Sequence, residues 1–284
     1  MFKTALILQG GGTREAFSAG VLDVLLENDF QFDFIAGTSA GALSGLNYVS
    51  KNKGRNLYVL TTLMKEKKFC SFRNLIKNRS IFNFDYLFNE AAKGDFPFDF
   101  DEFYKSNTTL IAAATCLETG KVTYFEKGDS DFWEGVAASA SLPLLSKPVQ
   151  IKELHYLDGG PVCGLPFRTA LDRGIKKIVV VCTRQKGYRK QKHSNSHTKL
   201  CKKLYKSYPN FIDAYDNEYI VYNNDMDEME RLAESGAIFM IYPKEPVTIS
   251  HTEKNEKKIR DLYEKGVEVM KENLPILTAY LKNE

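Results

Sequence analysis

Cysteine is scarce in this chain. There are five in 284 residues, Cys70, Cys116, Cys163, Cys182 and Cys201, an odd number with no CxxC pair among them. That excludes a disulfide framework and a thiolate zinc site, and it predicts free thiols in a reducing, cytoplasmic compartment. Proline is sparse at 9 and glycine ordinary at 19, which excludes collagen-like and other fibrous classes. A one-sided charge is missing too: 39 Lys and Arg stand against 36 Asp and Glu, a net charge of +3, too little to mark a nucleic-acid partner. No apolar run approaches the roughly 20 residues of a membrane span. The opening, Met1-Phe2-Lys3-Thr4 and then Ala5-Leu6-Ile7-Leu8, runs straight into a glycine loop, without the signal-peptide h-region of about 7–15 apolar residues. What is present is a hydrophobic share of 43%, which excludes a disordered chain. At this length about 75% of the unfolded surface can be buried, so a large core forms without staples.

Short apolar segments alternate with amphipathic ones. Residues 4–8 form an apolar run ending at Gln9 and three glycines, the pattern of a buried parallel strand entering a loop. Phe17, Val21, Val24 and Leu25 recur at three- and four-residue spacing and predict a helix that fades at Asn28-Asp29. Residues 32–36 read as a second strand, and Leu43, Leu46 and Val49 mark the helix after it. Strand, loop, helix, strand, turn and helix in this order predict an α/β fold, a mostly parallel sheet with helices on both faces. Residues 54–106, rich in Phe, Lys and Asn, predict short helices and loops inserted between core strands. Further strands are expected at 108–114, 122–125, 149–151, 155–157, 178–182 and 238–242, and a helix at 131–140. The last stretch, 255–282, predicts two helices separated near Pro275.

Gly37-Thr38-Ser39-Ala40-Gly41 fits GxSxG between a predicted strand and a predicted helix. In that context a serine occupies a tight turn, and the helix after it directs its N-terminal dipole at the hydroxyl. Ser39 is therefore the candidate nucleophile, against the plainer reading of a βα turn with a serine cap. Gly10-Gly11-Gly12-Thr13-Arg14 also follows a strand and opens a helix. Glu15 stands where GxGxxG needs a small residue, no acid follows the second strand to hold a ribose, and no GKS or GKT is present. An oxyanion hole fits better than a dinucleotide or phosphate loop, because in a parallel sheet this loop and the serine turn lie side by side at the carboxyl edge. A serine needs a base. His193 and His197 fall in a polar basic loop, His155 adjoins a strand, and His251 follows Ile249-Ser250 in a plausible loop. Asp158-Gly159-Gly160 ends a predicted strand, which would turn the carboxylate toward the same edge.

As an ordered set, Gly10-Gly11-Gly12-Thr13-Arg14, Gly37-Thr38-Ser39-Ala40-Gly41 and Asp158-Gly159-Gly160 resemble the patatin-like phospholipase family. Ala138-Ser139-Ala140-Ser141-Leu142-Pro143 resembles the segment before the family's aspartate, and the likeness runs from about residue 3 to 183. It implies a three-layer, patatin-like α/β fold. It also implies a Ser–Asp dyad without histidine, with Ser39 as nucleophile, Asp158 as general base, and the N–H groups of Gly11, Gly12 and Thr13 as oxyanion hole. The reaction implied is hydrolysis of a lipid acyl ester through an acyl–serine, with no metal or cofactor. The alternative is a non-catalytic lipid- or nucleotide-binding module on the same fold. Glu15 departs from the family's usual glycine, and it is expected either to favour the helix dipole or to pair with Arg14. Dry surroundings would raise the pKa of Asp158, and the aromatics between Phe69 and Phe103 would supply an acyl channel or else simply core.

The expected division is a catalytic core, residues 1–183, and a C-terminal part, residues 184–284, packed on it as one unit. One stretch of that second part stands out. Arg184, Lys186, Arg189, Lys190, Lys192, Lys199, Lys202, Lys203 and Lys206 lie within 23 residues that hold no acid. It reads as a loop then a helix, either a solvated segment or a patch for phosphate head groups or an anionic membrane.

Overall fold

Alternation along the central strands sets two cores. Leu6 and Leu8 point to one face of the sheet and Ala5 and Ile7 to the other, as successive side chains on a strand must. All four are fully buried, so helices cover both faces. This is the three-layer α/β architecture. A computed structural model describes residues 3–282; Met1, Phe2, Asn283 and Glu284 lie outside the described residues, so the first two residues of the opening segment are not described.

The strands are β1 (Thr4–Leu8), β2 (Phe34–Thr38), β3 (Thr109–Cys116), β4 (Val122–Glu126), β5 (Val149–Ile151), β6 (Leu154–Asp158), β7 (Lys177–Val181) and β8 (Ile238–Ile241). The helices are α1 (Glu15–Glu27), α2 (Ala40–Val49), α3 (Arg55–Thr61), α4 (Phe72–Asn78), α5 (Phe100–Lys105), α6 (Phe132–Ser139), α7 (Arg168–Asp172), α8 (Asn195–Leu204), α9 (Pro209–Asp216), α10 (Glu218–Glu234) and α11 (Glu256–Lys282). The sheet runs β5-β6-β3-β2-β1-β7-β8, with β4 also on β3. Strands β3, β2, β1, β7 and β8 are parallel, and β4, β5 and β6 join antiparallel. On one face α1, α2 and α11 bury Phe17, Leu22, Leu46, Ile259 and Met270; on the other α7 and α10 bury Ala170, Met226 and Met229.

Strand β3 carries two partners in one lane. Strand β2 pairs with it up to Thr38↔Ala113, and β6 pairs with it from Ala114↔Asp158 to Cys116↔Tyr156. Strand β4 pairs with β3 from Ile111 to Thr115, overlapping both, so it must occupy the opposite edge. Strands β2 and β6 therefore run head-on along a single edge, and their ends meet.

The stretch 255–282, expected as two helices, is one continuous helix with Pro275 inside it. Its apolar stripe explains the difference: Ile259, Leu262, Val269, Met270 and Leu277 continue across the proline at helical spacing and are all buried. Tertiary packing on both sides offsets the lost hydrogen bond. The backbones of α1 and α11 touch. A Cβ on Gly20 would stand 2.2 Å from the Tyr263 carbonyl oxygen, and one on Gly266 would stand 2.1 Å from that of Phe17.

Gly266→Ala should therefore separate two packed helices and lower stability by about 1–3 kcal/mol, the usual cost of overpacking. Gly94→Ala, where the nearest atom to a new Cβ is 3.5 Å away, should change little. Thermal or urea denaturation of both variants decides it; equal midpoints would contradict the close approach.

Candidate active site

Ser39 leaves β2 and enters α2 at φ 58° and ψ −128°, a backbone conformation an L-residue holds only when its surroundings enforce it. The flanking glycines allow the tight turn. A Cβ on Gly37 would meet the Ala42 nitrogen at 2.6 Å, and one on Gly41 would meet the Leu8 oxygen at 2.5 Å. A residue the sequence reading gave no role braces the turn: the Ser39 N–H donates to Ser139 Oγ at 2.9 Å, and the Ser139 hydroxyl donates to the Ala113 carbonyl at 2.6 Å. Only its place in the Ala138–Pro143 stretch hinted at it. Ser39 is 7% exposed, at the floor of a cleft.

Asp158 ends β6, opposite the end of β2. It reaches the carboxyl edge of the parallel strands for a reason alternation alone does not supply: β6 is antiparallel, starts beyond that edge and descends to it. Gly159 is required here, since a Cβ would stand 2.3 Å from the Ala113 oxygen and 2.9 Å from Thr38. The backbone of Asp158 is fixed on both sides. Its N–H donates to the Ser141 carbonyl at 2.8 Å, and its carbonyl accepts from the Thr115 hydroxyl at 2.7 Å. Oδ1 accepts from the Gly160 N–H at 2.7 Å. Oδ2 is buried without a well-formed partner among the described residues, and the Ser39 hydroxyl lies beside the carboxyl. Burial pushes the Asp158 pKa up to about 6, with the Ser39 hydroxyl and the Gly160 N–H restraining the rise.

The glycine loop lies against the same cleft. Gly12 has φ +56°, and a Cβ there would meet the His251 oxygen at 2.3 Å. The N–H groups of Gly11 and Gly12 have no acceptor among the described residues. Thr13, expected to join them as a third donor, does not: its N–H donates to the His251 carbonyl at 2.9 Å, and its hydroxyl reaches the same oxygen at 3.0 Å. Gln9, also given no role by the sequence reading, holds the loop from below. It donates to the Tyr222 hydroxyl at 2.8 Å and accepts from the Thr183 N–H at 2.6 Å.

The cleft, about 480 Å³, takes in Ser39, Asp158, Gly10 and Gly11 from the first part of the chain and Arg184, Lys190, Glu218 and His251 from the second. The basic stretch is therefore not a free surface segment throughout. Arg189 pairs with Asp227 and Glu230, and Lys190 with Glu218, acids contributed by α10. Lys202 lies 3.7 Å from Asp216. Burial alone would raise the pKa of Glu218, yet Lys190 and His193 hold it down at about 2. His193, expected among solvated histidines, is half-buried, bonded to Glu218 at 2.9 Å and stacked on Tyr215 with 4.3 Å between centroids. His197 is exposed. His155 bonds Glu118 at 2.9 Å and does not line the cleft. His251 does line it; the residue is exposed at its surface, but Nε2 contacts an Arg14 guanidinium nitrogen at 2.7 Å, and desolvation of the ring, then Arg14, Lys190 and Arg184, depress its pKa to about 3. All five cysteines are free and buried.

Glu15 neither supports the helix dipole nor pairs with Arg14. Its side chain is buried, neither carboxyl oxygen has a well-formed hydrogen bond among the described residues, and the hydroxyls of Ser18 and Ser44 lie beside it. Burial raises its pKa to about 8, so it is protonated at neutral pH. It lines a small cavity of about 60 Å³ with Phe88, Phe98, Phe100 and Trp133. Those rings belong to a continuous aromatic cluster in which Phe98 and Phe103 are buried.

A profile of patatin-like phospholipases matches residues 6–171, and a profile of a domain of unknown function matches residues 208–282. The uncharacterized protein YjjU of Escherichia coli K12 is 25% identical over 253 residues, covering 86% of this chain and 70% of that protein. Lysophospholipase NTE1 of Scheffersomyces stipitis is 31% identical over 189 residues, 62% of this chain and 11% of that protein. Patatin-like phospholipase domain-containing protein 7 of Rattus norvegicus is 25% identical over 193 residues, 62% of this chain and 13% of that protein. The chain thus matches only a small part of the last two.

The raised pKa of Glu15 has a consequence for stability. Folding lifts it from 4.5 to about 8, so the folded state binds the extra proton in that window and stability falls as pH rises through it. Glu15→Gln should raise the melting temperature, and by more at pH 8 than at pH 5. An equal change at both pH values would show that Glu15 ionises normally.

Proposed function

The chain belongs to the patatin-like phospholipase family, and on that premise we propose that it is a serine lipid acyl hydrolase working through a Ser39–Asp158 dyad. The observation that carries this reading is the head-on meeting of β2 and β6, which sets a strained serine beside a buried carboxyl that lacks a full set of partners. Ser39 Oγ attacks the ester carbonyl, and its proton passes to Asp158. The N–H groups of Gly11 and Gly12 receive the developing oxyanion. As the tetrahedral intermediate collapses, Asp158 returns the proton to the leaving alcohol, and an acyl–Ser39 ester remains. Water, giving its proton to Asp158, then attacks this ester; the fatty acid leaves and Ser39 recovers its proton.

Asp158 suits this work better than a histidine does. A pKa of about 6 leaves it ionised at neutral pH, yet more basic than an exposed carboxylate. His251, which with His193 lines the cleft, is engaged by Arg14 and is a far weaker base. The likeness to lysophospholipase NTE1 and to patatin-like phospholipase domain-containing protein 7 supports a phospholipid or lysophospholipid ester as substrate. Arg184 and Lys190 at the cleft would face its head group. Residues 184–284 act with residues 1–183 as one unit, because the second part supplies this wall of the cleft and α11 lies along α1. Cytoplasmic residence and peripheral attachment to a membrane complete the proposal; among the described residues no helix is long and apolar enough to cross one.

Ser39→Ala should lower hydrolysis of a soluble short-chain ester by at least about 10³-fold and abolish covalent labelling by a fluorophosphonate probe. Asp158→Asn should be nearly as damaging, whereas His251→Ala should retain most activity. Wild-type labelling that persists in Ser39→Ala would refute the nucleophile; no labelling at all would favour a non-catalytic binding module. The kcat/KM of the wild type should rise with pH and level off above about pH 6, as Asp158 ionises. A profile flat through that region would remove Asp158 as the base.

A further inference from the structure

Two short helices expose apolar side chains for which the protein itself has no use. In α4 none of the residues is buried; Phe72 is 74% and Ile76 85% exposed, one turn apart on the same face. In α8 Leu200 is 43% and Leu204 54% exposed, with the same spacing. Isolated exposed apolar residues are ordinary, but paired ones on two helices are not.

Along the sequence around both pairs the charge has one sign, and Asp216 of α9 reaches Lys202. No acid occurs from residue 67 to 84 or from 184 to 212. Arg73, Lys77 and Arg79 surround the first pair, and Lys199, Lys203 and Lys206 the second; all six are exposed, and none is in an ion pair among the described residues. The cations of the basic stretch that α10 neutralises, Arg189 and Lys190, lie at the cleft instead. An apolar pair inside a ring of unneutralised cations complements the interface of an anionic bilayer, where the apolar groups sink to the acyl boundary and the cations meet lipid phosphates.

Both helices are tied to one wall of the catalytic cleft. Leu142, Pro143 and Leu145 line it with Ser39. Leu145 packs on the cluster beside α4 that contains Phe69, Cys70 and Ile81, and its carbonyl accepts the Ile81 N–H at 2.8 Å. Leu144 packs on the cluster beneath α8 that contains Cys201 and Tyr205, and its N–H donates to the Tyr205 hydroxyl at 3.0 Å.

We propose that α4 and α8 together form a two-point docking surface for an anionic lipid bilayer, inserting Phe72, Ile76, Leu200 and Leu204 and so bringing the 142–145 wall of the cleft to the membrane. This deepens the reading of the chain as a lipid hydrolase by adding a place of attachment that the reaction itself does not require.

The test is sedimentation of the full chain with vesicles of ether-linked phosphatidylcholine, with and without about one-third ether-linked phosphatidylglycerol, lipids that an esterase cannot cleave. The wild type should bind the anionic vesicles, bind the neutral ones far less, and be released by salt. Phe72→Ser/Ile76→Ser and Leu200→Ser/Leu204→Ser should each lower partitioning at least about tenfold, while soluble-ester hydrolysis and the melting temperature stay at wild-type values. Partitioning unchanged in both double variants, or no preference for anionic vesicles, overturns the proposal. So does a self-associated wild type in sedimentation velocity that dissociates in either double variant, since the patches would then serve a second copy. If the wild type binds as expected but fails to cleave the soluble ester, the hydrolase reading falls and the docking surface stands.

Discussion

The site depends on one edge of β3. Strand β2 uses the lower part of that edge and β6 the upper part, in opposite directions, so two segments more than a hundred residues apart in sequence are brought end to end by backbone hydrogen bonds. Backbone pairing is periodic and stiff, and it positions Ser39 and Asp158 more firmly than two loops would. The polar atoms around the junction are used with little redundancy. The Ala113 carbonyl accepts from the Ser139 hydroxyl, Ser139 Oγ accepts from the Ser39 N–H, and the Asp158 carbonyl accepts from the Thr115 hydroxyl. Removing any of these side chains would leave a buried polar atom without its partner, which is more costly than the bond itself is favourable.

Around that junction the electrostatics are arranged by burial. Glu218, with Lys190 and His193, stays charged in the wall of the cleft, while Glu15 stays neutral one layer behind it. Glu15 is the deeper of the two, and the larger difference is in the partners. Glu218 is bonded by the Lys190 ammonium and by His193; Glu15 has only hydroxyls close by, and Arg14, the adjacent cation, is turned toward His251. Asp158 stands between these extremes, with one oxygen satisfied and the other left over.

Much of the first part of the fold was legible because its signals are local. The alternation of apolar runs and helical stripes gave the layers and most strand positions, and the glycines around residues 10–12, 37–41 and 159–160 marked the turns. What was not legible depends on partners distant in sequence. The acids that neutralise Arg189 and Lys190 come from α10, so composition within the basic stretch could not show them. The Thr13 N–H is taken by a carbonyl at position 251, and no motif records a backbone acceptor. Pro275 looked like a break because helix rules count hydrogen bonds within a segment, whereas packing against α1 and the sheet decides whether that segment stays helical. Ser139 is a small residue in the small-residue run 137–141, and only its two hydrogen bonds distinguish it from Ala137, Ala138 and Ala140.

Helix α1 carries the glycine loop at its N-terminus and is buried from Glu15 to Leu25, with α11 against it at backbone contact. The Tyr263 hydroxyl that caps this contact reaches Asp23, 240 residues earlier. A helix with no wet side cannot rest in water while it waits for its cover. During synthesis, the segment that shapes the glycine loop therefore precedes its cover by some 240 residues. Closing so long a loop is slow, and the exposed apolar helix in the interim is the kind of surface that chaperones hold. The order of synthesis thus sets when the cleft is complete: a nascent chain carries Ser39 and Asp158 well before it has the element that fixes the loop beside them.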